Sequence, residues 1–372
     1  MRIALISDCY TPRLGGIESQ VRDLAIKLAG EGHEVILATA TPAADGADRE
    51  IDESVKVVRL DFPPARGVPV NPLAGPGLEV IMRGADVTHI HTGVISPFAD
   101  HAALIAAAHR LPAVVTWHCM LWHWQWLFRL LRYRQFTGRR GLIHTTVSEM
   151  MARQIQGVMG DSAKVGVLYN GIELDDWRQV AAQRLATPRR PGPLRIVSSR
   201  RLARRKRNAA LIELAVAAQA ATGVDCELTI FGEGPERPAL ERLIERLDAP
   251  WVHLAGRVDR AGLAAAYADA DIYFSTSLMD SFGIATLEGR TCGLPVVAPA
   301  HTGVDDFCEP GVGSLVGEGD ADLQTALEIM LSDDELREAM SRHNATTLPS
   351  QDWSEVLPAT LAYYRAAIDA QR

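Results

Sequence analysis

Apolar and polar positions along the 372-residue chain change period in a recurring order, with short β-rich runs giving way to helical spacing and back again. The opening RIALIS reads as a buried strand, Ile17, Val21, Leu24, Ala25 and Leu28 recur at helix spacing, and EVILATA reads as the next strand. That order predicts a βαβ unit. Further strands are predicted in VKVVRL (55–60), VTHIHT (87–92), AVVTWH (113–118) and LIHTTVS (142–148), while the Pro- and Gly-rich stretch 61–77 predicts an irregular loop. A second series follows TPRRPGP (187–193), which marks a linker: LRIVSS, CELTIFG, WVHLAG, DIYFST, PVVA and GSLV alternate with helical stretches.

Alternation of this kind predicts an α/β fold with two parallel sheets, each covered on both faces, and hence two Rossmann-like domains. The chain is too long for one comfortable core, and two domains imply a cleft between them. The expected division places 1–185 in the first domain and 186–352 in the second. In such sheets ligands collect beyond the carboxyl ends of the strands, so the loops that follow strands are the ones to read for chemistry.

Composition narrows the function. With 38 Lys and Arg against 46 Asp and Glu, the formal charge of −8 argues against a nucleic-acid partner. Positive charge is nonetheless local, crowding 189–207 and 129–140. Five cysteines without CxxC spacing suggest neither a disulfide framework nor a zinc site, which fits a reducing cytoplasm. The N-terminus lacks the pattern of a signal peptide, and no apolar run is long enough to predict a membrane span.

Three loops carry candidate chemistry. Gly15 and Gly16 follow the first strand and lead into a helix, where backbone amides can meet an anion; a plain tight turn explains them equally well. Arg201 and Lys206 leave the first strand of the second series and can clamp a diphosphate, against the alternative of a solvated basic loop. In LMDSFGIATLEGRTCGLPVV (278–297), Asp280 and Glu288 on one helix would lie about 12 Å apart along the backbone, too far for a glycosidase pair. Ser281 as helix N-cap would leave Asp280 in the loop and Glu288 inside the helix, each addressing a different part of a long ligand. The amides of Phe282, Gly283 and Ile284 would then accept phosphate between them.

In their order, TPRLGGIE, DVTHIH, TWH, TVSE, YNGIEL, SRRLARRK, FGEGP and DSFGIATLEGRTCGLPVVA resemble the retaining GT-B glycosyltransferases of family 4 over nearly the whole chain. The resemblance implies two Rossmann-like domains facing each other across a cleft, with a C-terminal helix over 353–372 crossing back to the first. It implies a nucleotide-sugar donor, GDP- or UDP-linked, with no other cofactor and no metal. By the same resemblance Glu288 binds the ribose, Asp280 contacts the sugar, Arg201 and Lys206 hold the diphosphate, Gly16 closes over phosphate, His118 lies beside the transferred sugar, and Gly232 and Val258 accommodate the base. Two departures stand out: the first glutamate of the Glu-x7-Glu pair is Asp280, and the later GGxPE is TGVDD with Asp306 in the acidic position. The DAD at 269–271 imitates a metal signature but reads as a helix end before a strand.

On the acceptor side, LWHWQWLFRLLRYRQFTGRR (121–140) mixes Trp122, Trp126, Arg129, Arg132 and Tyr133 without an acidic residue. An interfacial surface for anionic lipid fits this pattern, as does a buried helix with arginines at its rim. Read with the resemblance to phosphatidylinositol mannosyltransferases, it leads to a hexosyltransferase, with mannose from GDP-mannose passing to a lipid-linked or polyol acceptor at the cytoplasmic membrane face. Alternatives are a UDP-sugar enzyme with a soluble or polysaccharide acceptor, a noncatalytic nucleotide-sugar binder, and a dinucleotide-dependent oxidoreductase. The last lacks a GxGxxG after any expected strand.

Overall fold

The computed structural model describes residues 1–13, 15–43, 49–62, 68–121, 125–130, 141–162, 164–187 and 189–371. It divides into two units, Met1–Gly171 with Trp353–Arg372, and Ile172–Asp352.

The first unit carries an eight-stranded sheet in the order β3-β4-β2-β1-β5-β6-β7-β8. Its strands are β1 (Arg2–Ser7), β2 (Glu34–Thr39), β3 (Arg49–Asp52), β4 (Val55–Arg59), β5 (Val87–Thr92), β6 (Ala113–Trp117), β7 (Ile143–Thr146) and β8 (Val165–Val167). All neighbours pair in parallel except β3, which runs antiparallel to β4 at the edge. Helices α1 (Gly16–Gly30), α2 (Gly75–Arg83), α3 (Pro97–His109), α4 (Gln125–Leu130) and α5 (Glu149–Met159) link them. Strands covered on both faces need apolar side chains throughout, and β6 is buried at every position. The expected strands are all present. Neither β3 nor β8 was expected: each is too short to carry a period of its own. The expected loop 61–77 ends earlier than its glycines suggest, because α2 starts at Gly75 with Pro76 in its first turn, where a missing N–H costs nothing.

The second unit carries a six-stranded, wholly parallel sheet in the order β11-β10-β9-β12-β13-β14. These strands are β9 (Leu194–Ser199), β10 (Cys226–Phe231), β11 (Val252–Gly256), β12 (Ile272–Phe274), β13 (Val296–Pro299) and β14 (Ser314–Gly317). They alternate with α6 (Leu174–Ala186), α7 (Asn208–Thr222), α8 (Arg237–Arg246), α9 (Arg260–Asp269), α10 (Ile284–Thr291), α11 (Asp320–Ser332) and α12 (Asp334–Thr346). In each sheet the order reverses at the first strand of its series, at β1/β5 and at β9/β12, which opens a crevice at the carboxyl ends of those strands.

The division differs from the expected one at residue 185. Helix α6 precedes the exposed linker, yet its Trp177 is buried within the second unit, 5.8 Å from the Tyr267 ring and beneath the Arg260 guanidinium at 5.2 Å. Burial of one large aromatic side chain outweighs the turn chemistry that follows it. The last helix, α13 (Trp353–Asp369), belongs to the first unit and gives Trp353, Val356, Leu357, Tyr364 and Ala367 to its core. It runs through Pro358 instead of breaking there. Proline at that position removes one donor, and the buried face of Val356, Leu357, Thr360 and Tyr364 holds the helix regardless.

Replacing Trp177 by alanine is expected to destabilise the second unit by about 3–5 kcal/mol, read as a lowered calorimetric transition of that unit with the first left in place.

Candidate nucleotide-sugar site

In the second unit, the loop that leaves β9 is built around Arg200. Its buried guanidinium donates to Lys206 O (3.0 Å), Thr276 Oγ1 (3.2 Å) and Phe274 O (3.3 Å), joining the β9 loop to the end of β12. Thr276 Oγ1 in turn donates to Arg207 O (3.0 Å), and Arg207 Nη2 lies against both oxygens of the Asp320 carboxylate (2.8 and 2.7 Å). The backbone of 200–206 is held on its other side by FGEGP: Arg200 N donates to Phe231 O (2.9 Å) and Leu202 N to Glu233 O (3.0 Å). Gly232 has φ +135° and lies so near Arg200 O that any Cβ would collide with it.

On this frame Arg201 is exposed, with no side-chain partner among the described residues. Lys206 is part-buried and its Nζ donates to Asp280 Oδ2 (3.1 Å). The two expected diphosphate residues therefore share one loop, and Lys206 is already paired with the residue expected to touch the sugar. The remaining basic residues divide. Arg189, Arg190 and Arg195 sit at the opposite end of β9, where Arg189 and the Arg195 amide bind Asp271, and Arg190 and Arg195 pair with Asp269. Those contacts commit both carboxylates of the DAD stretch, which ends α9 and precedes β12.

Asp280 and Glu288 do lie on separate elements, Asp280 in the loop and Glu288 in α10. The N-cap is Gly283 and not Ser281, with φ +90°, a conformation glycine adopts without strain. Phe282 is buried edge-on to Phe307 at 5.7 Å, while Gly283 and Ile284 begin the helix whose first amides lack intrahelical acceptors. The glycine of TGVDD, Gly303, closes against this turn: its N–H donates to Asp280 O (2.9 Å), and a Cβ would strike Phe282 Cα at 2.5 Å. The Glu288 carboxyl has no hydrogen-bond or ion-pair partner among the described residues, and burial pushes it up to about 7, against a smaller opposing effect of Arg260. Val258 is exposed on the loop after β11.

In the first unit, His118 follows β6 and is buried. Its Nε2 lies 2.9 Å from His91 Nδ1, and its backbone N–H donates to Thr92 O (2.9 Å). His89, two residues before His91 on β5, bonds Tyr364 OH (2.8 Å) through Nδ1 and Thr116 Oγ1 (2.6 Å) through Nε2. Burial holds His118 down to about 4 and His89 to about 3, and drives His91 far below its ordinary value. All three are neutral at physiological pH, so His118 is a hydrogen-bonding group there and not a stored charge.

Gly15 is the N-cap of α1 and Gly16 its first residue. The Glu18 carboxylate folds back toward Gly15, where a Cβ would meet its Oε2, and its Oε1 lies 3.8 Å from Arg13 Nε. Asp8, at the carboxyl end of β1, accepts the Phe98 and Ala99 amides that open α3 (3.2 and 3.1 Å); burial pushes it up to about 7 despite them. On α4, Trp126 is 61% exposed while Phe128 packs edge-on to Trp117 at 5.4 Å. Trp122, Arg132, Tyr133 and the Arg129 side chain lie outside the described residues.

Arg200, Thr276, Asp8 and His91 escape a reading by motif. The signal for the histidines is present in VTHIHT: residues two apart on a strand face the same way, and imidazoles on a doubly covered strand must find partners.

Compared with known proteins, residues 14–176 match the family described as Glycosyltransferase Family 4 and residues 181–347 match Glycosyl transferases group 1. A phosphatidyl-myo-inositol mannosyltransferase of Mycobacterium leprae is 29% identical over 391 aligned positions, covering 98% of this chain and 96% of the relative. A GDP-mannose-dependent monoacylated alpha-(1-6)-phosphatidylinositol monomannoside mannosyltransferase of Corynebacterium glutamicum is 23% identical, covering 94% and 93%. Among solved structures, the sucrose-phosphate synthase of Thermosynechococcus elongatus superposes with a TM-score of 0.72 at 18% identity, covering 99% of each chain. Anabaena HepE in complex with UDP gives 0.72 at 18%, covering 97% and 100%.

Substituting Glu288 by glutamine tests its burial. A carboxyl whose folded value is raised binds its proton more tightly in the folded state, so it lowers stability as pH rises from the unfolded value near 4.3 through about 7. Glu288→Gln is expected to gain on the order of 2 kcal/mol at pH 8 and nothing at pH 4, measured by urea unfolding at the two pH values.

Proposed function

The chain belongs to glycosyltransferase family 4 and has the GT-B fold, and on that premise we propose that it transfers mannose from GDP-mannose, with retention of configuration and without a metal, to a lipid-linked or polyol acceptor at the cytoplasmic face of the membrane. The observation that carries this reading is the anchored cationic loop after β9. Arg200, Thr276 and Arg207 fix its backbone, leaving Arg201 open and Lys206 on a single carboxylate. A rigid loop presents positive charge without reorganising when a diphosphate departs, and that is where electrostatic catalysis is strongest. Mannosyl specificity and the acceptor class are supported by the names of the mycobacterial and corynebacterial relatives.

In this reading Arg201, Lys206 and the amides that open α10 take up the charge of the leaving nucleoside diphosphate. Glu288 accepts the ribose hydroxyls, and a carboxyl that takes up a proton near neutrality accepts them best when ionised, so donor affinity rises with pH through about 7. Asp280 orients Lys206 and meets the sugar, its shorter side chain fitting the ion pair it already makes. Gly232 and Val258 border the base; His118, neutral, positions the sugar. Gly15 and Gly16, at the start of α1, offer amides to phosphate.

A second reading, a UDP-sugar donor, is favoured by the likeness to HepE bound to UDP. Radiolabelled GDP-mannose and UDP-glucose, offered with a lipid extract or with inositol, decide between them: label from GDP-mannose entering the lipid phase is the expected result, and label from UDP-glucose alone moves the assignment to the second reading. Thermal stabilisation by NAD but by neither GDP nor UDP would overturn both. Arg201→Ala and Lys206→Ala are each expected to weaken GDP binding about ten- to hundredfold by calorimetry, the range for losing one charged hydrogen bond.

Membrane association is motivated by the exposed Trp126 on α4. No helix among the described residues is long and apolar enough to cross a membrane. Flotation with vesicles of phosphatidylglycerol is expected to carry the protein upward, with Trp126→Ser reducing the bound fraction roughly tenfold; equal flotation of both variants, or none, removes Trp126 from the interface.

A further inference from the structure

Two parts of the candidate site stand on separate elements: the cationic loop leaves the end of β9, and Glu288 sits inside α10. A ligand that reaches both is held well only if the two keep one spacing. The Arg200 guanidinium settles the loop against the end of β12, but none of the bonds it makes reaches α10. Two buried tyrosines do reach it.

Tyr267, near the end of α9, has no exposed surface. Its hydroxyl lies 3.0 Å from Ser199 Oγ, on the last residue of β9, and 3.4 Å from Ala285 O in the first turn of α10. A phenol oxygen both donates and accepts, so one atom serves both elements. Tyr273 of β12 meets the Tyr267 ring edge-on, with centroids 6.0 Å apart, and its hydroxyl donates to Ser199 O (3.4 Å). Burial raises both phenols above their ordinary value, so each keeps its hydrogen at physiological pH.

The Tyr273 ring also sets how near α10 comes to the sheet. A Cβ on Gly289 would stand 2.6 Å from Tyr273 Cδ2 and 3.1 Å from Cγ. Glycine inside a helix costs about 1 kcal/mol relative to alanine, and here it permits an approach that any side chain would forbid. Gly289 follows Glu288 directly, so the seat of α10 on that ring also decides where the carboxyl is held.

We propose that Tyr267 and Tyr273 are positioning residues that tie α10 to the end of β9 through Ser199, and thereby fix the distance from Glu288 to the cations of the β9 loop. That Glu288 takes the ribose, and Arg201 with Lys206 the diphosphate, rests on the proposed function. Ser199 serves as the node because the next residue, Arg200, anchors the loop, so the spacing passes from α10 to the cations through adjoining residues. Ring packing alone would hold α10 equally well without the hydroxyls, and it predicts no change in binding when they are removed.

Calorimetry on the full-length protein, with GDP and pyrophosphate as probes, separates the two. Tyr267→Phe and Tyr273→Phe keep the rings and are each expected to raise the Kd for GDP about three- to tenfold, the range for one neutral hydrogen bond. Gly289→Ala, which forces α10 off its seat, is expected to raise it at least as far. Pyrophosphate meets only the cations and should bind within about twofold of the unaltered protein in all three variants. In a Glu288→Gln background the two phenylalanine substitutions should have little further effect on GDP, because they act through the carboxylate they place. A GDP affinity untouched in the folded variants, a loss shared equally by pyrophosphate, or losses that add in full to that of Glu288→Gln each overturn this inference alone. If Gly289→Ala does not fold, the phenylalanine variants decide it. UDP replaces GDP as probe if the unaltered protein binds UDP only; binding of neither overturns the proposed function and this inference with it.

Discussion

A single buried guanidinium organises the second unit's binding end. Arg200 makes no ion pair among the described residues; two carbonyl oxygens and a threonine hydroxyl take its Nη hydrogens, its Nε is left without a partner, and burial lowers its proton affinity. A cation taken out of water is tolerated only where such dipoles replace the solvent. The replacement here comes from both sides of the sheet's switch point, so the β9 and β12 loops keep one relative position. Everything the donor reading needs is placed by that agreement: Arg201 free, Lys206 on Asp280, the Asp280 carbonyl held by Gly303, and α10 opening beside them.

The two units follow opposite electrostatic designs. The second gathers formal charge at both ends of β9 and ties several of those arginines to a carbonyl or a carboxylate, leaving Arg201 open. The first buries neutral imidazoles and hydroxyls in the middle of its sheet, where Thr116, Thr145, His89 and Tyr364 form one chain of short hydrogen bonds. Charge grips and attracts, whereas neutral dipoles discriminate by direction. Geometric selectivity of the latter kind depends on which atom carries a hydrogen, and it is lost when a single partner is removed.

Much of this was legible in the residues. Strands covered on both faces write continuous apolar runs, and every one of those was found, as was the separation of Asp280 from Glu288. The two edge strands of the first sheet were not legible: β3 and β8 are four and three residues long and take their conformation from a neighbour's backbone. The unit boundary was misplaced because a proline-rich stretch announces a turn without saying what the helix before it buries; Trp177 decides that, and its partners Tyr267 and Arg260 are 90 and 83 positions away. Nor could spacing reveal that the basic run 189–207 divides between the two ends of β9. That division depends on contacts between residues distant in sequence.

The return of α13 to the first unit has a consequence for biosynthesis. Val356, Leu357, Tyr364 and Ala367 complete a core whose other walls come from the first 170 residues, so that core stays open while the ribosome is still translating the intervening stretch. The second unit, contiguous from Ile172 to Asp352, has all its parts earlier. Nascent chains therefore leave the apolar side of β5 and β6 uncovered for most of translation, and chaperone dependence should track the rear of the message more than its front.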